Sequence, residues 1–438
     1  MRRRRAGVRI EHVIETHLHA DFVSGHCELA ERTGACIYIG EGSGAAFGHI
    51  AVRDGYTIQF GSCRLEFLQT PGHTMESLCI VMTDTEHSAR PRTVFTGDTL
   101  FVGDVGRPDL SRNYTPKELA GFLYSSLQEK LLTLPDDTEI FPAHGAGSLC
   151  GRQMSSESSS TIARERRSNY ALQARSREEF IHLLIEGLPA RPEYFARDAE
   201  LNRRGAASLD RLAALTPFAP SEVLRLQSEG AIVLDTRPAA QFAAAHVPGS
   251  IHIALNGQFA SWAARILGLD ARLIISGENP DRVRESQMRL ARVGIEKVSG
   301  YLEDGIAGWF ASGYRVASLP QIAVRDLASL LDTERDQTTV LDVREPSEIM
   351  GGALEGSIRI PLAHLAARAG ELDGGKPLVA HCKGGYRSSI ATSLLRRAGF
   401  RDIANLTGGF DAWKTARLPY SLPQSSAAFP RPQTVSAS

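Results

Sequence analysis

The chain has 438 residues, enough for about three domains at roughly 150 residues each. Apolar content of 42% and charged content of 23% are those of a soluble globular protein, and a net charge of −1 gives no reason to expect nucleic acid or an anionic membrane as partner. No apolar run is long enough to span a bilayer, and the basic start "MRRRRAG" lacks the apolar stretch of a secretory signal.

The six cysteines are scattered and form no CxxC pair, which reads as reduced thiols and a cytoplasmic protein. From the N-terminus to about residue 165, "ACIYIG", "YTIQFGSCRLEFLQTPGHT", "SLCIVMT" and "TVFTGDTLF" predict strands, being β-branched and aromatic runs between turn signals. "SGHCELAERTG" and "TPKELAGFLYSSLQEKLLTLP" predict helices, the second with Thr115 as N-cap and Pro116 at its first position.

Between these elements lie the residues that carry chemistry. "ETHLHADFVSGH" places His17, His19 and Asp21 at alternate positions, which in extended chain send side chains the same way. "TPGHT" adds His73, "FTGDTL" Asp98 and "FPAHG" His144, each on a loop beside Gly or Pro at a strand end. One such histidine means little; four motifs in this order predict a metal site.

These motifs resemble the metallo-β-lactamase superfamily, over roughly residues 8 to 165. The resemblance implies an αββα sandwich with the metal at one edge. Only about fifteen residues precede the THxHxD motif, so the sandwich is expected to lack its opening strands. Within the superfamily, "THLHADFVSGH", "TPGHTMESLCIV", "FTGDTLFVGDVGRPDL" and "FPAHGAGSLCG" are most similar to the persulfide dioxygenases. That branch implies one Fe(II) on His17, His73 and Asp98, a two-histidine, one-carboxylate set that leaves positions for O2 and substrate. His19, Asp21 and His144 would then support the ligands, or hold a second metal. Phe22 stands where a dinuclear hydrolase carries another histidine, and an aromatic ring cannot ligate; Zn remains the alternative metal. Arg107 is a candidate to hold anionic substrate, with a structural turn arginine as the equal alternative. Cys150 reads as a small buried hydrophobe, with a place in the pocket lining as the lesser alternative.

Residues 166–214 are charged and read as a helical connector. Beyond it the sequence repeats itself. "AIVLDTRPAAQFAAAHVPGSIHIAL" aligns with "TVLDVREPSEIMGGALEGSIRIPLA", pairing Asp235 with Asp342 and Gly249 with Gly356; further on Trp309 pairs with Trp413. Each repeat alternates short strands with helices, the pattern of a small parallel α/β domain. The boundaries expected are 215–318 and 319–424, with 425–438 a disordered tail.

In the second repeat, "VAHCKGGYRSS" puts Cys382 between an apolar strand and a helix. A tight loop of that kind offers backbone N–H groups and a helix N-terminus, which favour a thiolate nucleophile, and Arg387 adds positive charge. The loop "CKGGYR", with "LDVREPSE", "GSIRIPL" and "LTGGFDAW", resembles the rhodanese sulfurtransferases over roughly residues 320 to 422. The resemblance implies a persulfide on Cys382, with Lys383, Gly384, Gly385, Tyr386 and Arg387 forming its substrate loop. A CxxxxxR phosphatase loop would need one residue more. In the first repeat the equivalent position falls on Gly277 or, with a one-residue gap, Ser276, so this repeat is expected to be a degenerate rhodanese domain with a structural or docking role.

Together the parts resemble persulfide dioxygenase–sulfurtransferase fusions. The resemblance implies oxidation of a persulfide such as glutathione persulfide with O2, giving sulfite and thiol, and sulfur exchange with sulfite or thiosulfate at Cys382. The rival expectation is a zinc-dependent thioester hydrolase of the glyoxalase II type carrying a sulfurtransferase. Homo-oligomerisation is left open.

Overall fold

A computed structural model describes residues 8–111 and 113–422; the arginine-rich start and the 425–438 tail lie outside the described residues. The chain divides into two compact units, 1–212 with 291–294, and 213–290 with 295–438.

In the first unit, β1 (His12–Ile14), β2 (Cys36–Gly40) and β3 (Ile50–Val52) form a parallel three-stranded sheet. A second sheet runs in the order β11-β10-β7-β6-β5-β4, from β4 (Thr57–Phe60), β5 (Cys63–Gln69), β6 (Leu78–Asp84), β7 (Thr93–Gly97), β10 (Glu139–Pro142) and β11 (Ser160–Thr161). After β7 the chain forms a short antiparallel ribbon of β8 (Leu100–Phe101) and β9 (Asp104–Val105).

Strand alternation builds the layers. Along β6, Leu78 and Ile80 join Phe67 of β5 and Tyr38 and Val52 of the first sheet in an inter-sheet core. Their neighbours Cys79 and Val81 point the other way, into a core with Leu123 and Leu127 of α2 (Pro116–Glu129) and Phe180 and Leu184 of α4 (Arg177–Ile185). On the far side, α1 (His26–Thr33) covers Val13 and Ile37 of the first sheet through Cys27 and Ala30. The result is the αββα layering. Thr115 caps α2 in a full capping box with Glu118, and Pro116 occupies the first turn, as the sequence predicts. The connector folds into this unit as α3 (Ile162–Ser168), α4 and α5 (Tyr194–Arg204).

The second unit holds two parallel five-stranded sheets of the same topology. The first is β12-β16-β15-β13-β14, from β12 (Thr216–Phe218), β13 (Ile232–Asp235), β14 (Ile251–His252), β15 (Leu273–Ser276) and β16 (Val298–Leu302). The second is β17-β21-β20-β18-β19, from β17 (Gln321–Ile322), β18 (Thr339–Asp342), β19 (Ile358–Arg359), β20 (Leu378–His381) and β21 (Ile403–Leu406). Helices α6 (Pro220–Ser228), α7 (Ala239–Ala244), α8 (Phe259–Leu267), α9 (Pro280–Ala291) and α10 (Gly305–Ala311) belong to the first repeat. The second has α11 (Val324–Glu334), α12 (Pro346–Ile349), α13 (Leu365–Arg368), α14 (Tyr386–Arg397) and α15 (Gly409–Thr415).

The repeat extends to single bonds. The aspartates that end β13 and β18 each pair with an arginine two residues on: Asp235 with Arg237 and Asp342 with Arg344, both at 2.6 Å. Trp309 and Trp413 each donate their indole N–H to a carbonyl six residues ahead, Arg315 and Pro419. No described helix is long and apolar enough to cross a membrane.

Candidate metal centre and sulfur-transfer loop

Strands β5, β7 and β10 run in one direction, since β6 is antiparallel to both β5 and β7, and β7 is parallel to β10. Their C-terminal ends therefore share one edge of the sheet. His73 follows β5, Asp98 follows β7 and His144 follows β10; the loop after β1 brings His17, His19 and Asp21 to them.

One Asp98 carboxylate oxygen, Oδ2, is the hub. It lies 3.3 Å from Nε2 of His73, 3.4 Å from Nε2 of His144 and 3.8 Å from Nε2 of His17. The ligand atoms of His17, His73 and Asp98 all lie within 4.8 Å of one another, and these side chains are buried. His19, Asp21 and His144 form a second group of the same compactness, with 3.4 Å between Asp21 Oδ2 and His144 Nε2. Phe22 lies beside it, its ring 4.4 Å from that of His19.

The donor set fits a cation. Nε2 of His17, His73 and His144 and both oxygens of Asp98 are buried with no hydrogen-bond partner among the described residues. Leaving so many polar atoms unpaired is costly unless a metal takes them up. His73 Nδ1 faces the Arg107 carbonyl at 3.0 Å and must donate to it, which leaves the Nε2 lone pair free. Gly106 makes this approach feasible: a Cβ there would run into the Asp98 carbonyl and come within 2.8 Å of His73 Nδ1.

Within the protein's own charges, burial keeps His17 and His73 neutral, lowering both below the usual histidine range. Burial also pushes Asp98 up, but His17, His144 and His73 outweigh it and hold the carboxyl well below the usual range. His144 is the exception among the histidines: burial opposes its charge, yet Asp98 and Asp21 raise it to about 9. Asp21 itself is pushed by burial to about 6.

Two side chains had alternative readings in the sequence. Arg107 is buried and its guanidinium is taken up by Asp109, at 2.7 and 2.9 Å, and by the carbonyls of Leu149 and Pro189. It holds a turn together, the structural alternative of the two, and brings its carbonyl to His73. Cys150 is buried as expected, but its sulfur lies within 4.8 Å of ligand atoms of Asp98 and His144, so it walls the metal pocket.

Sequence reasoning missed the brace behind the His17–Ser24 loop. Asn202, on α5, donates to the carbonyls of His19 and Phe22 at 2.7 Å each and accepts from the Ser24 N–H at 2.7 Å. Glu76 accepts from the Leu18 N–H at 3.1 Å. Nothing in "AELNRR" marks Asn202, which is buried among charged neighbours in the sequence.

In the second unit, Cys382 follows β20 and is buried; α14 starts four residues later, after Gly385 at φ 98°. The Gly385 N–H donates to Cys382 Sγ at 3.1 Å and the Ser388 hydroxyl at 3.5 Å. Lys383 and Gly384 are exposed on the loop. The motif "LTGGFDAW" pins the loop from behind: Phe410 and Asp411 N–H donate to the carbonyls of Cys382 and Lys383 at 2.8 and 2.9 Å. Gly409 allows this contact, since a Cβ there would lie 2.5 Å from the Cys382 carbonyl oxygen. Arg387 forms a two-pronged pair with Glu348 of α12, 2.6 Å on each arm, which the sequence did not announce. Burial alone would raise Glu348; Arg387 reverses this and holds it below the usual range.

Strand register settles the silent repeat. Asp235 pairs with Ser276 as Asp342 pairs with His381, so Gly277 occupies the place of Cys382. A Cβ on Gly277 would come within 2.7 Å of Val283, so a side chain there would require Val283 to shift, and the position carries no thiol.

The layering and metal pocket of one unit and the paired sheets of the other define a fusion of a metallo-β-lactamase domain with two rhodanese-like domains. Family models agree: the metallo-β-lactamase superfamily matches residues 1–144, and the rhodanese-like domain matches 219–312 and 323–416. Its metallo-β-lactamase domain is homologous to persulfide dioxygenases. The mitochondrial persulfide dioxygenase ETHE1 of Homo sapiens is 35% identical over 138 residues, which are 32% of this chain and 50% of that protein. A hydroxyacylglutathione hydrolase of a Polaromonas species is 33% identical over 141 residues, 32% of this chain and 49% of that one. The chain thus spans about half the length of each. A crystal structure of a metallo-β-lactamase from Staphylococcus aureus is similar over 68% of this chain and 86% of its own, with 29% identity and a TM-score of 0.59.

Proposed function

We propose that the protein is an iron-dependent persulfide dioxygenase coupled to sulfur transfer through Cys382. The observation that carries this reading is the buried trio His17, His73 and Asp98, whose inward atoms find no hydrogen-bond partner among the described residues. The net reaction is R–S–S⁻ + O2 + H2O → R–SH + HSO3⁻, with glutathione persulfide as a representative substrate. Fe(II) held by the trio would supply the activation of O2 and the oxidation of the terminal sulfur. The chain's own residues do the rest. The Arg107 carbonyl orients His73. His144 Nε2 faces the carboxylates of Asp21 and Asp98 at 3.4 Å each, beside the trio. Phe22 and Cys150 wall the pocket with apolar and weakly polar surface.

At the second site the Cys382 thiolate attacks the outer sulfur of thiosulfate, the S–S bond breaks, and sulfite leaves; Cys382 is left as a persulfide. The reverse, sulfite taking that sulfur, yields thiosulfate and restores the thiolate. Gly385 N–H and Ser388 Oγ face the sulfur in both directions, and Lys383, Gly384 and Tyr386 belong to the same loop. Joining the sites in one chain raises their mutual effective concentration, to the order of millimolar for a short flexible link. Six free cysteines suit a reducing compartment, the cytoplasm.

The alternative is a zinc-dependent thioester hydrolase of the glyoxalase II type. It is favoured by His19, Asp21 and His144, which are close enough to hold a second ion. Parallel loading with Fe(II) or Zn(II), followed by assay with glutathione persulfide and with a glutathione thioester, separates the two. Oxygen-dependent sulfite release by the iron form supports the dioxygenase; thioester cleavage by the zinc form without oxygen uptake by the iron form contradicts it.

A further inference from the structure

We infer that the silent repeat is a positioning element for the sulfur-transfer loop: it grips α14 along one face and so holds the groups that face Cys382. The inference rests on the reading of Cys382 as the sulfur carrier.

The grip comes from β14 and the segment after it. His252, buried at the end of β14, holds the register position that Arg359 holds in the active repeat. Its Nε2 lies 2.9 Å from the Arg237 carbonyl. A carbonyl only accepts, so Nε2 carries the proton and Nδ1 is left as an acceptor. Nδ1 meets the Ser389 hydroxyl of α14 at 2.8 Å. The His252 backbone N–H donates to Ser393 Oγ, one turn further along α14, at 3.0 Å. At the start of the helix, Tyr386 donates its hydroxyl to the Ala254 carbonyl at 2.9 Å. Its ring lies over Gly257, at φ 69°, where a Cβ would come within 3.3 Å of it. Arg289 of α9 fixes that segment through the carbonyls of Leu255 and Gly257.

The anchored residues 386, 389 and 393 recur at helical spacing, so they form one stripe along α14. The first turn of the same helix supplies the Ser388 hydroxyl that faces Cys382 Sγ, and Gly385, whose N–H donates to Sγ, is the residue just before it. Packing alone needs only apolar contact. A buried histidine with both nitrogens engaged instead fixes one register of helix against strand. A repeat without a thiol thereby acts on the thiol of its neighbour. Small misplacements of reacting groups can cost up to about a hundredfold in rate.

The test uses the full chain, assayed for Cys382-dependent sulfur transfer from thiosulfate to cyanide. Variants are His252→Ala, Gly257→Val and Ser393→Ala, the last placing a good helix former on α14 so that folding is preserved. Phe310→Ser, on the exposed surface of the silent repeat, is the control. The expected result is a fall in kcat of about tenfold for His252→Ala and Gly257→Val and a smaller fall for Ser393→Ala. KM should stay within about twofold, circular dichroism unchanged and the control equal to wild type. Unaltered kcat in folded Ser393→Ala and either other variant overturns the inference, as does a change confined to KM. Cys382→Ser is run alongside: full transfer without the thiol sinks the underlying sulfurtransferase reading, which is a separate failure.

Discussion

Asp98 is the residue on which the candidate metal pocket turns, because one of its oxygens faces three histidine nitrogens at 3.3 to 3.8 Å. Asp98→Ala and His73→Ala should each abolish stoichiometric metal retention after dialysis, read by metal analysis, while Asp21→Ala should retain one ion. Gly106 makes a sharper test, since it touches no metal. Gly106→Ala would force apart the Asp98 carbonyl and His73, so metal content should fall even though every ligand is present. In the other unit, Glu348 holds both arms of Arg387. Glu348→Gln leaves a partly buried guanidinium short of charge, and sulfur transfer measured with thiosulfate should fall about tenfold.

At the level of elements, the helix α5 carries two buried polar residues with opposite fates. Asn202 is engaged with the His17–Ser24 loop, whereas Asp198 is buried with both oxygens unpartnered among the described residues, and burial raises it to about 8. The folded form holds a proton that the unfolded form, with the ordinary aspartate value of 3.8, gives up. Between those values the native state holds more protons, so this group's contribution to stability is full below pH 3.8 and is lost as pH rises to about 8. Asp198→Asn should remove that slope, with a melting temperature above wild type at pH 8 and near it at pH 4, read by thermal melts across the range. These helix contacts were illegible in the sequence for a physical reason. Asn202 and the carbonyls it holds are about 180 residues apart, and hydrophobic periodicity records only which face is buried, not what a polar residue there meets. The ligand motifs were legible because strand ends beside Gly or Pro announce themselves locally. Thr115 and Pro116 announced α2 in the same way. Which of its two roles Arg107 takes was not legible, because its partners at Leu149 and Pro189 come from distant turns.

Across the whole chain, the repeat was visible as aligned motifs, yet the place of the missing thiol needed strand register to fall on Gly277. The sequence also could not say that the two repeats form a single compact unit in which one holds a helix of the other. One unit thus offers a candidate cation site, the other a thiol with contacts from both repeats around its helix. The proposed function stands or falls on whether the cation site performs an oxygen-dependent reaction on a persulfide. The decisive experiment is anaerobic loading with Fe(II), followed by oxygen uptake with glutathione persulfide. Wild type should take up oxygen with matching sulfite or thiosulfate release, Cys382→Ser should also take it up, and Asp98→Ala should not. No oxygen uptake by the iron-loaded wild type, or equal uptake by Asp98→Ala, would contradict the proposal.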